Sequence, residues 1–246
     1  MTSSATIISS DNTRNGKTLF AKLVCDLLSL RQGVAPVIFD TDAPDGGLVH
    51  HYGGADAVAA RHEEGGLPQG GIVDPAFTPD HVRMFDSLLS GRGDYVIDLS
   101  ARHLRRFFDI YEEVDFETGA AEAGLSVSVF YILDRGEKSL TTLLNLAARL
   151  PKTRFVPVRN AAFGDALGNP DLAAAYARLA MEREIALPEL SGDALAMAGH
   201  PDFHFDTFIA GRYEHFPFDL KSELWMLLET LYSQRDATME SVVHPV

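Results

Sequence analysis

Gly16, Lys17 and Thr18 stand between a short β-type run at residues 6–9 and an apolar helical pattern at residues 19–31. In a strand, loop and helix of this kind, the loop N–H groups and the helix N-terminus converge on an anion. The lysine adds a positive charge, and the threonine hydroxyl can ligate magnesium. We therefore predict that this loop holds the phosphates and the magnesium ion of a nucleoside triphosphate. The predicted nucleotide-binding residues of the loop are Asn12, Thr13, Arg14, Asn15, Gly16, Lys17, Thr18 and Leu19.

The loop departs from the usual phosphate-binding pattern at its start. Asp11 occupies the position of the first glycine in G-x-x-x-x-G-K-[ST]. A carboxylate that faces phosphates would repel them, whereas an aspartate that bonds neighbouring loop N–H groups would not. Aspartate also tolerates left-handed backbone better than most residues do. We expect Asp11 to shape the loop and to point away from the nucleotide.

Carboxylates end two further β-type runs. Asp40 and Asp42 lie where the run 37–40 enters a loop, and the two-residue period of a strand puts them on the same side. At the carboxyl edge of a parallel sheet, such side chains can reach a metal ion, a water molecule or the γ-phosphate. Asp98 ends the run 95–98 and is expected to hold magnesium through water. Each acid alone could equally be an ordinary turn residue at the end of a strand.

Short β-rich runs alternate with helical patterns along the chain, which is typical of βαβ units. We predict one α/β domain over residues 1–246, with a mostly parallel sheet and helices on both faces. The predicted strands are residues 6–9, 37–40, 95–99, 127–133 and 154–158. The predicted helices are residues 19–31, 82–88, 140–150, 171–183 and 220–232. A Gly- and Pro-rich stretch at residues 65–79 is predicted to be a loop inserted within this domain.

The composition limits the partners and the compartment. A net charge of −14 and a pI near 4.9 argue against direct nucleic-acid binding, which lysine and arginine drive by displacing counterions. Cys25 is the only cysteine, so this chain forms no internal disulfide, and a reducing cytoplasm fits. The sequence has neither a secretory signal pattern nor a run that approaches ~20 apolar residues. We expect a cytoplasmic protein without a membrane anchor of its own.

These segments together resemble the ParA/MinD-type P-loop ATPases of the SIMIBI class. The resemblance rests on the G-K-T loop, on Asp40 and Asp42 after the second predicted strand, and on Asp98 at the end of the third, in that order. It implies the P-loop NTPase fold and the binding of ATP or ADP with Mg²⁺. It also implies that Asp42 orients the attacking water, that Asp40 supports the metal shell and that Asp98 holds magnesium through water. The predicted catalytic residues are then Lys17 and Asp42, and the predicted metal-binding residues are Thr18, Asp40 and Asp98.

The resemblance also implies a base site and a mode of assembly. Asn160, at the end of a later strand, matches an asparagine that reads adenine, and Pro188 matches a proline whose backbone lines the base. The family implies slow ATP hydrolysis, an ATP-favoured homodimer and a protein partner that the sequence does not identify. Plasmid partition, conjugative transfer and intracellular positioning are the roles it suggests. Asn160 could otherwise be a plain turn residue.

Departures from the family pattern keep other functions open. Asn12 stands where the family has a signature lysine, and Thr13 and Arg14 stand where two glycines are usual. In this respect the loop resembles that of the bacterial tyrosine kinases or of dethiobiotin synthetase. The alternatives are a pseudo-ATPase scaffold with little turnover and an ATP-dependent ligase or kinase that acts on a small substrate. In a dimer, Arg14 or the basic cluster at residues 102–106 could supply the missing positive charge.

Histidines occur in two pairs that do not have the spacing of a metal site. The pairs are His50 with His51 and His200 with His204. Pro201 prevents a regular helix that would carry two ligands at positions i and i+4. We interpret all four as surface or structural histidines.

Overall fold

The structure is a computed structural model that describes residues 3–42, 47–53, 71–74, 78–134, 136–164, 169–180 and 184–234. Its strands are β1 (Ser3–Ser9), β2 (Val37–Asp40), β3 (Gly71–Ile72), β4 (Asp94–Asp98), β5 (Leu125–Leu133), β6 (Arg154–Asn160) and β7 (Ile185–Leu187). Its α-helices are α1 (Lys17–Gln32), α2 (Gly47–Gly53), α3 (Thr78–Ser90), α4 (Leu104–Glu113), α5 (Phe116–Ala123), α6 (Glu137–Arg149), α7 (Pro170–Ala180), α8 (Gly192–Ala198), α9 (Phe205–Ile209) and α10 (Phe218–Ser233). Single 3-10 turns lie at Ala101–His103 and Ala161–Phe163.

The strands form one sheet in the order β3-β2-β4-β1-β5-β6-β7, and every strand pair in the described chain is parallel. This confirms the predicted α/β class and the parallel sheet. The carboxyl ends of β2, β4 and β1 are neighbours, because Asp98 pairs with Asp40 on one side and with Ile8 on the other. The register therefore brings two of the predicted metal-binding acids to the start of the loop that follows β1.

Different helices cover the two faces of the sheet, because successive strand residues point to opposite faces. In β1, Ile8 packs into a core with α1, α2 and α8 to α10, whereas Ile7 packs into a second core with α3 to α7. This confirms the prediction of helices on both faces. None of the described helices combines the length and the apolarity that crossing a bilayer requires.

Helix α1 is fixed to the sheet by side chains at helical spacing. Phe20, Val24 and Leu28 are buried in the first core, and burying a side chain of this kind contributes about 1.5–3 kcal/mol. The helix begins at Lys17, directly after the loop that leaves β1. Packing of its apolar face therefore holds the helix N-terminus at the carboxyl edge of the sheet, where the acids of β2 and β4 also lie.

The main correction concerns the predicted loop at residues 65–79. Within it, Gly71–Ile72 forms β3 against β2, and α3 already begins at Thr78, while residues 65–70 and 75–77 lie outside the described residues. A two-residue strand is too short to show an alternating pattern, so sequence periodicity misses it. The five predicted strands are confirmed. Of the predicted helix 171–183, α7 covers the part up to Ala180, and residues 181–183 are outside the described chain.

Candidate functional site

The loop between β1 and α1 contains backbone conformations that few residues adopt. Gly16 has a φ of 91°, in the left-handed region, and a Cβ there would lie 3.3 Å from the Asn160 side-chain nitrogen. Only glycine meets both conditions without strain. Arg14 is also left-handed, with a φ of 61°. The Ser10 hydroxyl donates to the Asn12 carbonyl at 2.7 Å and tightens the first turn of the loop.

Lys17 and Thr18 both contact the carboxylate of Asp98. Lys17 Nζ donates to Asp98 Oδ1 at 3.0 Å, and Thr18 Oγ1 donates to Oδ2 at 2.8 Å. The Lys17 side chain is 13% exposed and that of Asp98 is 4% exposed, so this ion pair is only weakly screened by solvent. The structure therefore gathers an ammonium, a hydroxyl and a carboxylate at the N-terminus of α1.

Asp40 is a second buried acid beside this group. Its side chain accepts hydrogen bonds from the N–H groups of Asp42 and Leu48, each at 2.9 Å. Burial and, after it, the negative charge of Asp98 raise the pKa of Asp40, the two hydrogen bonds and Lys17 oppose the shift, and the net pKa is about 6. Two adjacent carboxylates thus share one lysine, and this place has an excess of negative charge once both are ionised.

Asp42 lies at the exposed rim of the site and is bound to the loop after β4. Ser100 Oγ donates to Asp42 Oδ1 at 3.1 Å, and the Ser100 N–H donates to Thr41 Oγ1 at 2.7 Å. Thr41 Oγ1 in turn donates to the Asp98 carbonyl at 3.3 Å. These bonds join the two loops that carry the acids, so a displacement of one loop acts on the other.

The start of the β1–α1 loop is bound to the end of β5. The Asn12 side-chain amide donates to one carboxylate oxygen of Asp134, and the Gly136 N–H donates to the other at 2.7 Å. Asp11 lies beside Tyr131 of β5, where burial raises the pKa of the phenol and the Asp11 charge raises it further. The residue at the signature-lysine position is therefore uncharged and in contact with its own chain. Asp134 is not among the predicted site residues, although it directly follows β5, much as Asp98 ends β4.

A cleft of about 130 Å³ opens beside the loop. Gly16, Leu19, Asn160 and Pro188 contribute to its wall. Asn160 Nδ2 donates to the Asn15 carbonyl at 3.2 Å, and Asn160 Oδ1 accepts the Ala162 N–H at 3.1 Å. The bond from the Ala162 N–H is what an asparagine in a plain turn makes, which is the alternative that the sequence left open for Asn160. The first bond places the amide nitrogen between the loop and the cleft.

Comparison with solved structures places this architecture among known folds. The protein is similar to a chain in the MinC:MinD cell division protein complex of Aquifex aeolicus. The two structures superpose with a TM-score of 0.50 and 10% sequence identity, and the match covers 94% of this chain and 96% of the other. The two chains share an α/β fold of the P-loop type. A nucleotide-binding protein of Archaeoglobus fulgidus in complex with ADP has a TM-score of 0.49 and 17% identity, covering 87% and 92%. No family model and no curated protein sequence matches the chain.

Within this P-loop fold, the predicted site residues fall into three groups. Lys17, Thr18, Asp40 and Asp98 lie together at the carboxyl edge, with Asp42 at its rim. The base-side residues Leu19, Asn160 and Pro188 line one cleft together with Arg14, Asn15 and Gly16. Asn12 is turned to the end of β5.

The arginines that could replace the signature lysine differ in their surroundings. Arg105 and Arg106 lie on α4 and pair with acids of the same helix, Asp109 at 3.7 Å and Glu113 at 3.3 Å. Arg14 is exposed in the β1–α1 loop, beside the phosphate-site residues. Of these arginines, Arg14 is therefore the one carried by the candidate phosphate loop itself.

Proposed function

We propose that this chain binds Mg-ATP in the β1–α1 loop, hydrolyses it slowly and acts as a nucleotide-dependent switch. The observation that carries the proposal is the convergence of Lys17 and Thr18 on the Asp98 carboxylate, at 3.0 and 2.8 Å. A lysine, a hydroxyl and an acid at a helix N-terminus are the groups that hold nucleotide phosphates together with a magnesium ion. The MinD-like fold supports the same function.

The oxygen donors beside Lys17 fit magnesium. Mg²⁺ prefers hard oxygen ligands and is usually held by one or two carboxylates, by water and by substrate phosphates. Thr18 and Asp98 would hold the ion, and Asp40 would support its shell. Burial and the charge of Asp98 raise the pKa of Asp40 and so disfavour its ionised form, and a bound cation would offset that cost. When bound, the ion neutralises charge that develops on the phosphates.

Lys17 and Asp42 would carry the catalytic roles. An ammonium has three donors, so Lys17 can bind a phosphate oxygen while it remains beside Asp98. Its charge would then stabilise the transition state of phosphoryl transfer. Asp42, exposed at the rim and oriented by Ser100, would position the attacking water. The product of this reaction is ADP and phosphate.

The cleft beside the loop would hold the base. Its wall combines apolar side chains with the Asn160 amide, and such a combination suits a planar ring with a few polar edge atoms. Asn160 would read adenine and the backbone at Pro188 would line the ring. We accordingly assign the nucleotide as ATP rather than GTP.

Hydrogen bonds to Asp40 and Asp42 support the switch. Asp40 binds the N–H of Leu48 on α2, and Asp42 binds Ser100, which precedes the basic turn at Ala101–His103. A change at the phosphate site would therefore move two surface segments. We propose that these segments favour an ATP-bound homodimer in the cytoplasm and contact a protein partner. Partition of plasmids, conjugative transfer or intracellular positioning would be the cellular role. Binding to nucleic acid and a membrane anchor are not part of the proposal.

One observation favours a second candidate function. The position of the signature lysine is occupied by Asn12, which carries no charge and is bound to Asp134. Without a replacement charge, such a protein would bind nucleotide as a scaffold and release almost no phosphate.

Phosphate release from ATP tests these candidates. We expect slow release that requires Mg²⁺ and does not change when small acceptor molecules are added. Tight ATP binding without release would support the scaffold function. ADP formation that depends on an added acceptor would support a ligase or kinase instead.

A further inference from the structure

A second polar cluster lies on α1, away from the phosphate site. Asp26 of α1, His204 and Asp206 each offer one ligand atom, and these atoms lie within 4.8 Å of one another. Asp26 is nine residues beyond Lys17, or about 13 Å along the helix at ~1.5 Å per residue. The cluster is therefore separate from the proposed nucleotide site, and the proposed function does not use it.

Asp26 is a deeply buried carboxylate whose position is fixed. The residue is 1% exposed. The Tyr52 hydroxyl donates to its Oδ1 at 2.6 Å, and the Phe205 N–H donates to its Oδ2 at 2.6 Å. These bonds hold both oxygens while leaving lone pairs on each, because a carboxylate oxygen accepts more than one partner. With Asp206 nearby, two acids share a site of low solvent access, and such an arrangement favours a bound cation.

Two histidines from the distant sequence pairs meet at this cluster. His204 Nδ1 lies 3.8 Å from Asp26 Oδ1, and the ring centroids of His51 and His204 are 4.5 Å apart. Both ring nitrogens of His51 are shielded from solvent, and apart from the nearby Pro201 carbonyl neither has a hydrogen-bond partner within the described residues. A neutral imidazole has one N–H and one acceptor nitrogen, so the Pro201 carbonyl can serve only the N–H, and a metal ion could bind the other nitrogen.

We propose that Asp26, His204 and Asp206 bind a divalent transition-metal ion of the zinc type, with His51 as the fourth ligand. Imidazole nitrogen and carboxylate oxygen are ligands that zinc accepts, and four of them complete its tetrahedral shell. Bonds of about 2.0–2.1 Å require ligand atoms roughly 3.3 Å apart. His204 and Asp206 are only half-buried, so rotation of their side chains can close the remaining distance.

The ion would join three parts of the fold. Asp26 belongs to α1, His51 to α2, and His204 and Asp206 to the start of α9. Helix α2 also contacts the phosphate site, because its Leu48 N–H donates to Asp40 at 2.9 Å. Metal binding would therefore restrain the helix through which we expect the phosphate site to act on the surface.

Lys22 carries a positive charge close to the cluster, and this charge would repel a bound cation. Its Nζ donates to the carbonyls of Ala198 and His200, at 2.9 and 3.0 Å. These bonds hold the ammonium toward the chain before α9. The two carboxylates of the cluster outweigh its single charge, so a divalent cation is still attracted.

The same segment provides a matched control. His200 and Asp202 repeat the His-x-Asp spacing of His204 and Asp206 four residues earlier. His200 Nδ1 lies 3.8 Å from Asp202 Oδ2, with side chains that are 57% and 93% exposed. This pair has the same ligand types but does not join Asp26, so the proposal assigns it no metal.

The test is calorimetric titration of zinc into the full-length chain after treatment with a chelator. We expect one zinc ion per chain, and weakening of at least about 100-fold in each of His204→Gln and Asp206→Asn, because loss of a direct ligand should cost more than the roughly tenfold to 100-fold of an outer-shell change. His200→Gln and Asp202→Asn should bind zinc as the parent does. Circular dichroism checks that each variant is folded, and visible absorption of the Co²⁺-loaded protein should show tetrahedral coordination that His51→Gln alters.

Two results would overturn the metal site. One is a folded parent that takes up no zinc. The other is zinc uptake that His204→Gln and Asp206→Asn leave unchanged, or that the His200 and Asp202 variants reduce equally. If one cluster variant does not fold, the remaining one and the Co²⁺ spectrum of the parent decide the question. Nucleotide binding is measured separately, so loss of zinc binding leaves the proposed ATP site untouched.

Discussion

Asp40→Asn is expected to change how the stability of the protein depends on pH. Burial, followed by the charge of Asp98, raises the pKa of Asp40 from 3.8 to about 6. An acid with a higher pKa in the folded state contributes stability below its unfolded pKa and loses it as the pH rises through its folded pKa. At about 1.36 kcal/mol for each pKa unit, the total loss is about 3 kcal/mol.

About half of this loss falls between about pH 5 and about pH 8, because the unfolded carboxyl group is already ionised at the lower value. The asparagine does not titrate. It loses one of the hydrogen bonds from Asp42 and Leu48, which costs about 1 kcal/mol at every pH. Relative to the parent, the variant should therefore gain about 1.5 kcal/mol in unfolding free energy between these two pH values.

Urea denaturation of the nucleotide-free protein at both pH values measures this gain. Asp86→Asn, which removes an exposed carboxylate on α3, is the matched control and should show no such gain. Mg²⁺ should stabilise the parent more at the higher pH, and this increment should be smaller in Asp40→Asn. If Asp40→Asn differs from the parent by the same free energy at both pH values, the electrostatic account of Asp40 is wrong.

Three further predictions concern turnover, base selection and assembly. Asp42→Ala should keep ATP bound but lower kcat by about 100-fold or more, since a residue that positions water acts mainly in the transition state. Unchanged phosphate release in this variant would show that Asp42 does not position the water. Nucleotide titrations should show that the parent binds ATP more tightly than GTP, and that Asn160→Ala binds ATP about tenfold more weakly than the parent. Equal affinities of the parent for the two nucleotides would exclude Asn160 as the adenine reader. Light scattering should show a dimer with ATP and a monomer with ADP, with the dimer weakened in Arg14→Ala. A monomer under every condition would contradict the dimer, and an ATP dimer unaffected by Arg14→Ala would direct attention to the arginines of residues 102–106.

The sheet and its phosphate loop could be predicted because their signals are local. Each predicted strand is a short apolar run, and the G-K-T residues stand directly between a strand and a helix. Because β2 and β4 are parallel neighbours, the acids that end them, Asp40 and Asp98, lie opposite each other. The two-residue β3 and the short helices α2, α8 and α9 carry too few residues for a periodic pattern, so they were not predicted.

The missed parts of the candidate sites depend on long-range contacts. Asn12 meets Asp134, 122 residues away, and Phe205 meets Asp26, 179 residues away. Histidine spacing along the chain gave no indication that His51 would stack on His204, because folding of α2 and α9 against α1 produces that contact. Single-sequence patterns describe neighbours along an element, and they do not determine which elements meet in space.

Titration of Mg-ATP into the parent and into Lys17→Ala tests the central claim most directly. The parent should bind one nucleotide per chain, and the variant should bind about 2–3 kcal/mol more weakly, the scale of a lost charge-assisted contact. Lys152→Ala removes the same charge from the opposite end of the sheet, where Lys152 contacts Thr118, and should bind as the parent does. Equal affinity in Lys17→Ala and the parent, or no binding to the parent, would contradict nucleotide binding at this loop.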